Sequence, residues 1–435
     1  MHNSDVRLFN ESISLSVENN IQIDVVYFDF SKAFDSVHHD TLLSKLRNQF
    51  GINGRLLKYL ENYLKGREQC VVVGGCKSEM RSVTSGVPQG SILGPLLFVL
   101  FINDISDDIS EGTNVALYAD DTKIWRQVHS WDDHEILQSD IDILNLWSLR
   151  NKMKFHPDKC KVLSVNNHFI NPFHSIYAFP CAVLQYTLGG SPLVFVSFEK
   201  DLGVIVTDRL RWDDHCNGRL NVASSKLGLL KRVCAFTNNQ QQKLQLYQAI
   251  VKSQFEHCCV VWRPTTDTML NRFESKQRKS VKWILNEEDH HYNDFEYLCR
   301  LRDLKLLPMK YHFMVRDLIM FHKIYYDLCC VKLPPYYKNC TDEDRGRLRS
   351  NVRPPDRFDG NVTTTDLQSM RAMRSDQNSL RCDFLPSSAT YRKTFFYRTH
   401  LMWNFVPLDV RAESCPLRFK NALVPHIWDL AMRPD

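Results

Sequence analysis

At 435 residues, 43% hydrophobic and 24% charged, the chain has an ordinary globular composition with room for two or three domains that bury cores of their own. A net charge of +5 with an isoelectric point near 8.4 is compatible with a nucleic-acid partner without demanding one. The fourteen cysteines contain no Cys-x-x-Cys spacing, only the doublets Cys258-Cys259 and Cys329-Cys330 and scattered singles, which excludes a zinc knuckle and favours reduced, mostly buried thiols of an intracellular protein over a disulfide framework. The polar first residues carry no signal peptide, and the longest apolar run, Ile92 to Ile102, is interrupted by Gly94-Pro95 and too short for a bilayer. That run is expected as a buried helix, and no membrane partner is expected.

In chain order, residues 1 to 22 suggest a helix fragment leading into a strand. Val25 to Phe28 predicts a central strand, apolar on both faces, that ends in Asp29. Asp29 and Asp35 are also of the kind that caps a turn or a short helix. Two amphipathic helices follow between 40 and 66, the first carrying Leu42, Leu43, Leu46 and Phe50 and the second Leu56, Leu57, Leu60 and Leu64, with Asp40 and Asn53 as candidate caps. Cys70 to Val73, Gly74-Gly75 and Cys76 predict a β-hairpin.

The segment Ser85-Gly86-Val87-Pro88-Gln89-Gly90-Ser91 precedes the apolar helix. Its glycines would let backbone amides and the Gln89 side chain come close to a phosphate or a base, although a plain turn before a core helix has the same composition. Val115 to Ala119 then predicts a buried strand that runs into Asp120-Asp121. The other acidic pairs, Asp107-Asp108, Asp132-Asp133 and Asp213-Asp214, are flanked by polar or helix-start sequence, where solvent or an N-cap satisfies them. Two carboxylates at the end of a buried strand instead call for a cation. A hard divalent ion such as Mg²⁺ takes carboxylate oxygens and keeps positions for water and substrate phosphates. If the two acidic strands are neighbours, Asp29 joins Asp120 and Asp121 in one cluster.

In order and spacing, Asp29 to Asp35 (DFSKAFD), Gly86 to Phe98 (GVPQGSILGPLLF) and Tyr118 to Thr122 (YADDT) closely resemble three motifs of the reverse transcriptases of non-LTR (LINE-type) retrotransposons, of the jockey-like and chicken-repeat-like groups. Trp147 to Leu163, with Met153 to Lys161 inside it, resembles the family's fourth palm motif. Leu202 to His215 resembles the primer-grip hairpin that enters the thumb, and Glu256 to Arg278 the helical region behind it. The resemblance covers nearly the whole chain, with specificity falling toward the C-terminus.

It implies an α+β right-hand polymerase: a palm with an antiparallel sheet and partial fingers over residues 1–206, a helical thumb over 207–290, and a C-terminal helical region over 291–435 that is loop-rich near 333–386. The implied reaction is RNA-directed DNA synthesis, with an RNA template, a DNA primer and dNTPs as partners and Mg²⁺ (Mn²⁺ as the alternative) as cofactor. By position, Asp29 and Asp120 would hold the metal ions, with Asp121 organising the site and Lys159 near the departing pyrophosphate. Phe34 would lie under the incoming sugar and reject a 2′-hydroxyl, with Phe30, Gln89 and Gly90 also at the nucleotide. The family's fingers region precedes its first acidic strand. Here Asp29 lies close to Met1, so an N-terminally truncated copy is expected, and a catalytically inert remnant that only binds nucleic acid is the second reading.

Downstream, residues 213 to 290 and 295 to 332 predict helices. Arg272, Lys276, Arg278 and Lys279, interleaved with Phe273 and Trp283, would track a phosphate backbone or form a solvated basic face. Residues 391 to 428 recover apolar content as a small helical unit. The sequons at Asn10, Asn339 and Asn361 carry no meaning for a protein expected in the nucleus or cytoplasm and not secreted.

Overall fold

The computed structural model describes residues 13, 19, 21–165, 185–287, 289–329, 331–334, 337–339, 380–382 and 394–432. The expected lead-in before residue 22, the sequons at Asn10 and Asn361 and most of the 333–386 stretch lie outside the described residues. What is described falls into two compact units, Asn19–Glu199 and the residues from Lys200 onward with Ile13.

The first unit is α+β. Strand β1 (Gln22–Phe28) leads through the short helix α1 (Ala33–Ser36) to α2 (His39–Asn48) and α3 (Gly54–Leu64). An outer pair, β2 (Glu68–Gln69) with β5 (Arg81–Ser82), and an inner pair, β3 (Val72–Val73) with β4 (Cys76–Lys77), form a hairpin turned at Gly74-Gly75. Then come α4 (Leu93–Ile102), β6 (Asn114–Tyr118), β7 (Asp121–Val128), α5 (Trp131–Arg150), β8 (Lys161–Val165), β9 (Thr187–Leu188), β10 (Ser191–Pro192) and β11 (Val194–Val196).

Five of these strands make the main sheet, in the order β11-β8-β1-β7-β6. β1 is antiparallel to both neighbours, with Val26 opposite Ile124 and Val162. Its run of apolar residues belongs to this central place, where a strand is covered on both faces. Val26, Phe28, Ile124 and Val162 join Leu42, Leu46, Leu97, Phe98, Phe101, Leu137, Ile141 and Leu144 in one core, so the helices α2, α4 and α5 pack over one face. Helix α5 starts with a capping box in which Ser130 and Asp133 satisfy each other's backbone amides. This accounts for the acidic pair at 132–133.

Two expectations need correction. The Val115–Ala119 segment is not a buried strand: β6 is the last strand of the sheet, has one neighbour, and is half-exposed along its length. The buried strand is β7, which begins at Asp121 and carries Thr122, Lys123, Ile124 and Trp125 inward. Likewise α4 buries Leu97, Phe98, Phe101 and Ile102, but Ile92, Leu96 and Val99 lie on its uncovered side and are exposed.

At the boundary, β12 (Phe198–Asp201) and β13 (Val204–Thr207) flank a Leu202-Gly203 turn with positive φ at both residues. The rest of the second unit is helical: α6 (Asp213–Val233), α7 (Gln240–Leu246) running into a π-helical turn over Tyr247–Lys252, α8 (Ser253–Glu256), α9 (Cys259–Trp262), α10 (Asp267–Leu285), α11 (Asp294–Asp303), α12 (Met309–Tyr325), α13 (Phe395–Phe405), α14 (Leu408–Arg411) and α15 (Pro416–Ala431). A two-stranded pair, Tyr337–Asn339 with Leu380–Cys382, lies in the described part of the stretch expected as a loop. No helix among the described residues is long and apolar enough to cross a membrane.

Candidate active site at the strand ends

The register of the sheet collects the acidic residues. β1 pairs Phe28 with Thr122, so the next residue along, Asp29, falls opposite Asp121. Asp121 is in turn paired with Tyr118 across the β6–β7 hairpin, whose two loop residues are Ala119 and Asp120. All three carboxylates therefore stand at one end of two adjacent strands. Ala119 has φ 54°, a left-handed conformation that the first loop residue of such a tight hairpin requires and that costs a residue with a Cβ about 1–2 kcal/mol. Local strain of this kind gathers where a side chain must be aimed.

The backbone of Asp29 is clamped by the segment that precedes β8. Its carbonyl accepts from His156 N at 2.8 Å, and its own N–H donates to Cys160 Sγ at 3.5 Å. Ser31 N donates to Lys154 O at 2.8 Å, and Phe30 and Phe155 form an isolated bridge. Cys160 is buried beneath this contact, and burial pushes its thiol up to about 11, so it stays protonated at neutral pH. The Asp29 side chain remains 44% exposed, with Lys159 Nζ at 3.6 Å from Oδ1. A cation thus meets the acidic end from the neighbouring segment, as an array of carboxylates requires.

A second set of contacts straps the Gly86–Gly90 loop to the chain after β1. Gly86 N donates to Val37 O and Val87 N to Phe34 O, at 2.8 and 2.9 Å. The Ser85 hydroxyl donates to Asp35 O at 2.9 Å, and the buried His39 ring donates from Nε2 to Gly86 O at 2.9 Å. Gly86 has φ +89°, and a Cβ there would lie 2.9 Å from Asp35 Cα. Glycine is the residue that fits. Gln89 is exposed and donates from Nε2 to Asp35 Oδ1 at 3.0 Å, with Gly90 next to it at φ +78°.

Phe34 is half-buried, its ring stacked on Phe98 at 4.4 Å between centroids. Phe30 is different. Only 5% exposed, it stacks on Phe155 at 4.3 Å inside the core, so its ring is not placed to meet a nucleotide.

As the side chains lie, no group of three or more His, Cys, Asp or Glu among the described residues is gathered tightly enough to hold a metal ion. The donor type fits a hard divalent cation nonetheless: the three residues at this end offer carboxylate oxygens on rigid strand termini, and Asp29 is open to solvent.

Residues 14–188 match the family described as reverse transcriptase (RNA-dependent DNA polymerase). It is 26% identical over 267 residues to the RNA-directed DNA polymerase from mobile element jockey of Drosophila funebris, covering 59% of this chain and 28% of that protein. It is 25% identical over 283 residues to the probable RNA-directed DNA polymerase from transposon X-element of Drosophila melanogaster, covering 63% and 29%. A match of 28% identity over 148 residues, 32% of this chain and 24% of the other, extends to the Pol polyprotein of a type-1 R2 element of Popillia japonica. Among solved structures, apo telomerase from Candida tropicalis aligns at a TM-score of 0.38 and 8% identity, over 72% of this chain and 50% of that one. The chain thus spans a little over a quarter of the length of the curated relatives named first.

The acidic trio, Lys159, Phe34, Gln89 and Gly90 all lie within the first unit, as do two residues to which sequence reasoning assigned no part in the site. Cys160 holds the Asp29 backbone, and Asp35 holds Gln89. A short-range signal existed for Asp35, since it ends the same motif that Asp29 begins; none existed for Cys160, which reaches Asp29 only through the β1–β8 pairing.

The basic quartet lies on α10 in the second unit and divides. Arg272, Lys276 and Lys279 follow one another at helical spacing on one face, and the Lys276 ammonium is lowered by burial and by the charges of Lys279 and Arg272. Arg278 points elsewhere: it donates to Tyr292 O and Asp294 Oδ1 and lies 4.2 Å from the centroid of the Tyr297 ring.

Proposed function

We propose that this chain catalyses RNA-directed DNA synthesis of the kind that its non-LTR relatives are named for, extending a DNA primer on an RNA template with dNTPs. The observation that carries the reading is that Asp29, Asp120 and Asp121 fall at one end of β1 and β7, within the residues that match the reverse transcriptase family. In this reading residues 1–206 are palm with part of the fingers, 207–290 the thumb and 291–435 a C-terminal helical region. The work would be done inside the cell, in the nucleus or cytoplasm.

Asp29 and Asp120 would hold Mg²⁺ or Mn²⁺, with Asp121 completing the charge. When bound, the ions supply activation of the primer hydroxyl and neutralisation of the leaving pyrophosphate. The protein's own share is positioning, which phosphoryl transfer rewards most. The β1–β8 clamp fixes the Asp29 backbone, the strapped loop fixes Gln89, and Phe34 on Phe98 presents a flat, immobile edge to the sugar. Lys159, 3.6 Å from Asp29, would offer its ammonium to the phosphates. Arg272, Lys276 and Lys279 would meet the nucleic-acid backbone, while Arg278 supports α10 from within.

Primer extension by the purified 435-residue chain on an annealed RNA template, with dNTPs and Mg²⁺, tests this beside Asp120→Ala. Extension that falls by at least about a hundredfold in the variant, the scale on which removal of a preorganised catalytic charge is felt, supports the polymerase. No extension by either protein, with primer–template binding intact in both, would leave a nucleic-acid-binding remnant instead.

A further inference from the structure

We infer that Lys252, with Arg316 and Lys420 beside it, forms a binding site for a phosphate group on the second unit. The three residues lie outside the segment that matches the reverse transcriptase family, and the inference does not depend on the polymerase reading.

It starts from a lysine that is buried and poorly paired. The Lys252 side chain is only 12% exposed, and lysines are seldom buried to that degree without a close partner. Its ion pair is with Glu256, four residues on, in the weaker order of lysine before glutamate, and Nζ stays 3.9 Å from Oε1, too far for a hydrogen bond. Glu256 is engaged elsewhere: Arg316 donates to Oε2, and His312 Nε2 lies 3.2 Å from Oε1. At Asp317, on the same helix as Arg316, both arginines come within 3.1 Å of their acid. Lys252 has no such fit. It closes the π-helical turn Tyr247–Lys252, a rare backbone form found frequently at functional sites.

The local charge balance is positive. Burial lowers the Lys252 ammonium, Glu256 raises it, and the charges of Arg316 and Lys420 lower it again. Three cations thus share one carboxylate, and the His312 ring, pushed down to about 4 by burial, adds no charge at neutral pH. The cations arrive from three elements: Lys252 from the π-helical turn, Arg316 from α12 and Lys420 from α15. Helices α12 and α15 pack together, with Phe419, the residue before Lys420, stacked on His322 at 4.2 Å. Arg316 is 42% exposed and Lys420 is exposed, so an anion can reach the cluster from solvent.

A phosphate suits this arrangement. It offers several acceptor oxygens around one centre, and so can accept from donors that converge from different elements. An ammonium serves it as a point charge and a guanidinium through its remaining N–H groups. The phosphate can come from a nucleic-acid backbone or stand free.

Two measurements on the full chain separate these sources. In the first, a labelled single-stranded RNA is titrated at several chloride concentrations. In the second, the thermal midpoint is followed as inorganic phosphate replaces chloride at constant ionic strength. A backbone phosphate predicts that Lys252→Met and Lys420→Ala each weaken RNA binding by about tenfold, the worth of one charge-assisted hydrogen bond, and flatten its salt dependence, while Lys252→Arg keeps most of the affinity. A free phosphate predicts unchanged RNA binding, with a phosphate-dependent rise of the wild-type midpoint that is lost in both variants.

Arg418→Ala is the control, since Arg418 is an exposed cation two residues before Lys420 and so on another face of α15. Should Lys252→Met fail to fold, a loss in Lys420→Ala that Arg418→Ala does not share still supports the site. Equal losses in Lys420→Ala and Arg418→Ala would assign the effect to general surface charge and overturn it. So would a Lys252→Met protein that folds and responds as wild type in both measurements.

Discussion

The strand ends of the first unit and the helix junctions of the second use charge in opposite ways. At the strand ends Asp29 is 44% exposed, faces a single lysine at 3.6 Å, and is held through its backbone. At the junction of α9, α12 and α13, Asp317 is 1% exposed and is gripped by two arginines: Arg263 donates to Oδ2 at 2.8 Å, and Arg398 donates to Oδ2 and Oδ1 at 2.9 and 3.1 Å. A neighbouring cluster repeats the pattern. Burial works against the Glu256 carboxylate, yet His312, Arg316 and Lys252 together hold it down to about 2, while burial pushes the His312 ring down to about 4.

Strongly shifted groups often mark active sites, but here these clusters staple helices together. Inside a helical core a charge must be paired to be tolerated at all. A site that admits a metal ion and a triphosphate needs carboxylates left open, with rigidity supplied by the main chain. The difference teaches that a carboxylate can stay open where the main chain, rather than buried cations, holds its residue.

Substitutions can break or sharpen this contrast. Asp317→Ala should have the largest effect, about 3–5 kcal/mol of stability, because it leaves Arg263 and Arg398 buried without their acid. Urea unfolding of the chain would show it as a lower midpoint. A midpoint that stays in place would mean that the junction is wet, and the contrast would fail.

Gly86→Ala comes next. It should cost about 1–3 kcal/mol, because the new Cβ needs both a φ of +89° and space that Asp35 Cα occupies at 2.9 Å. Primer extension should fall further than thermal stability does, since the same shift moves Gln89. Equal losses in the two would reduce the strap to scaffolding.

Lys279→Ala should do least. Lys279 is an exposed member of the α10 face, so the variant should fold as wild type and lower the slope of log binding constant against log salt by about one. Arg278→Ala, by contrast, should shift the thermal midpoint, because that arginine is engaged by Asp294 and Tyr297. A reversal of these two results would place the nucleic acid on the other side of the helix.

Much of the candidate site was legible in the order of residues along the chain. Asp29, Gln89 and Asp120-Asp121 belong to short motifs that are read directly along the chain, and the apolar run of β1 announced a central strand. The edge position of β6 was not legible. An apolar pentapeptide reads the same with one neighbour or two, and only the strand order separates the cases. Phe30 and Phe34 are equally aromatic and four residues apart, yet one is core and the other half-open. Of the five cations on α10, helical spacing alone did not say that Arg278 would turn toward Asp294.

Sequence by itself determined the candidate groups and their order: two acidic segments, a Gly-Val-Pro-Gln-Gly turn between them and a lysine-bearing segment after them, because side-chain chemistry is written residue by residue along the chain. Tertiary structure alone decided which of those groups meet. The antiparallel register that sets Asp29 opposite Asp121, the Cys160 contact that holds Asp29, and the contact of Asp35 with Gln89 all join residues distant in the chain. Such pairings depend on which strands become neighbours, and that is settled only when the whole sheet and its covering helices bury their apolar faces together.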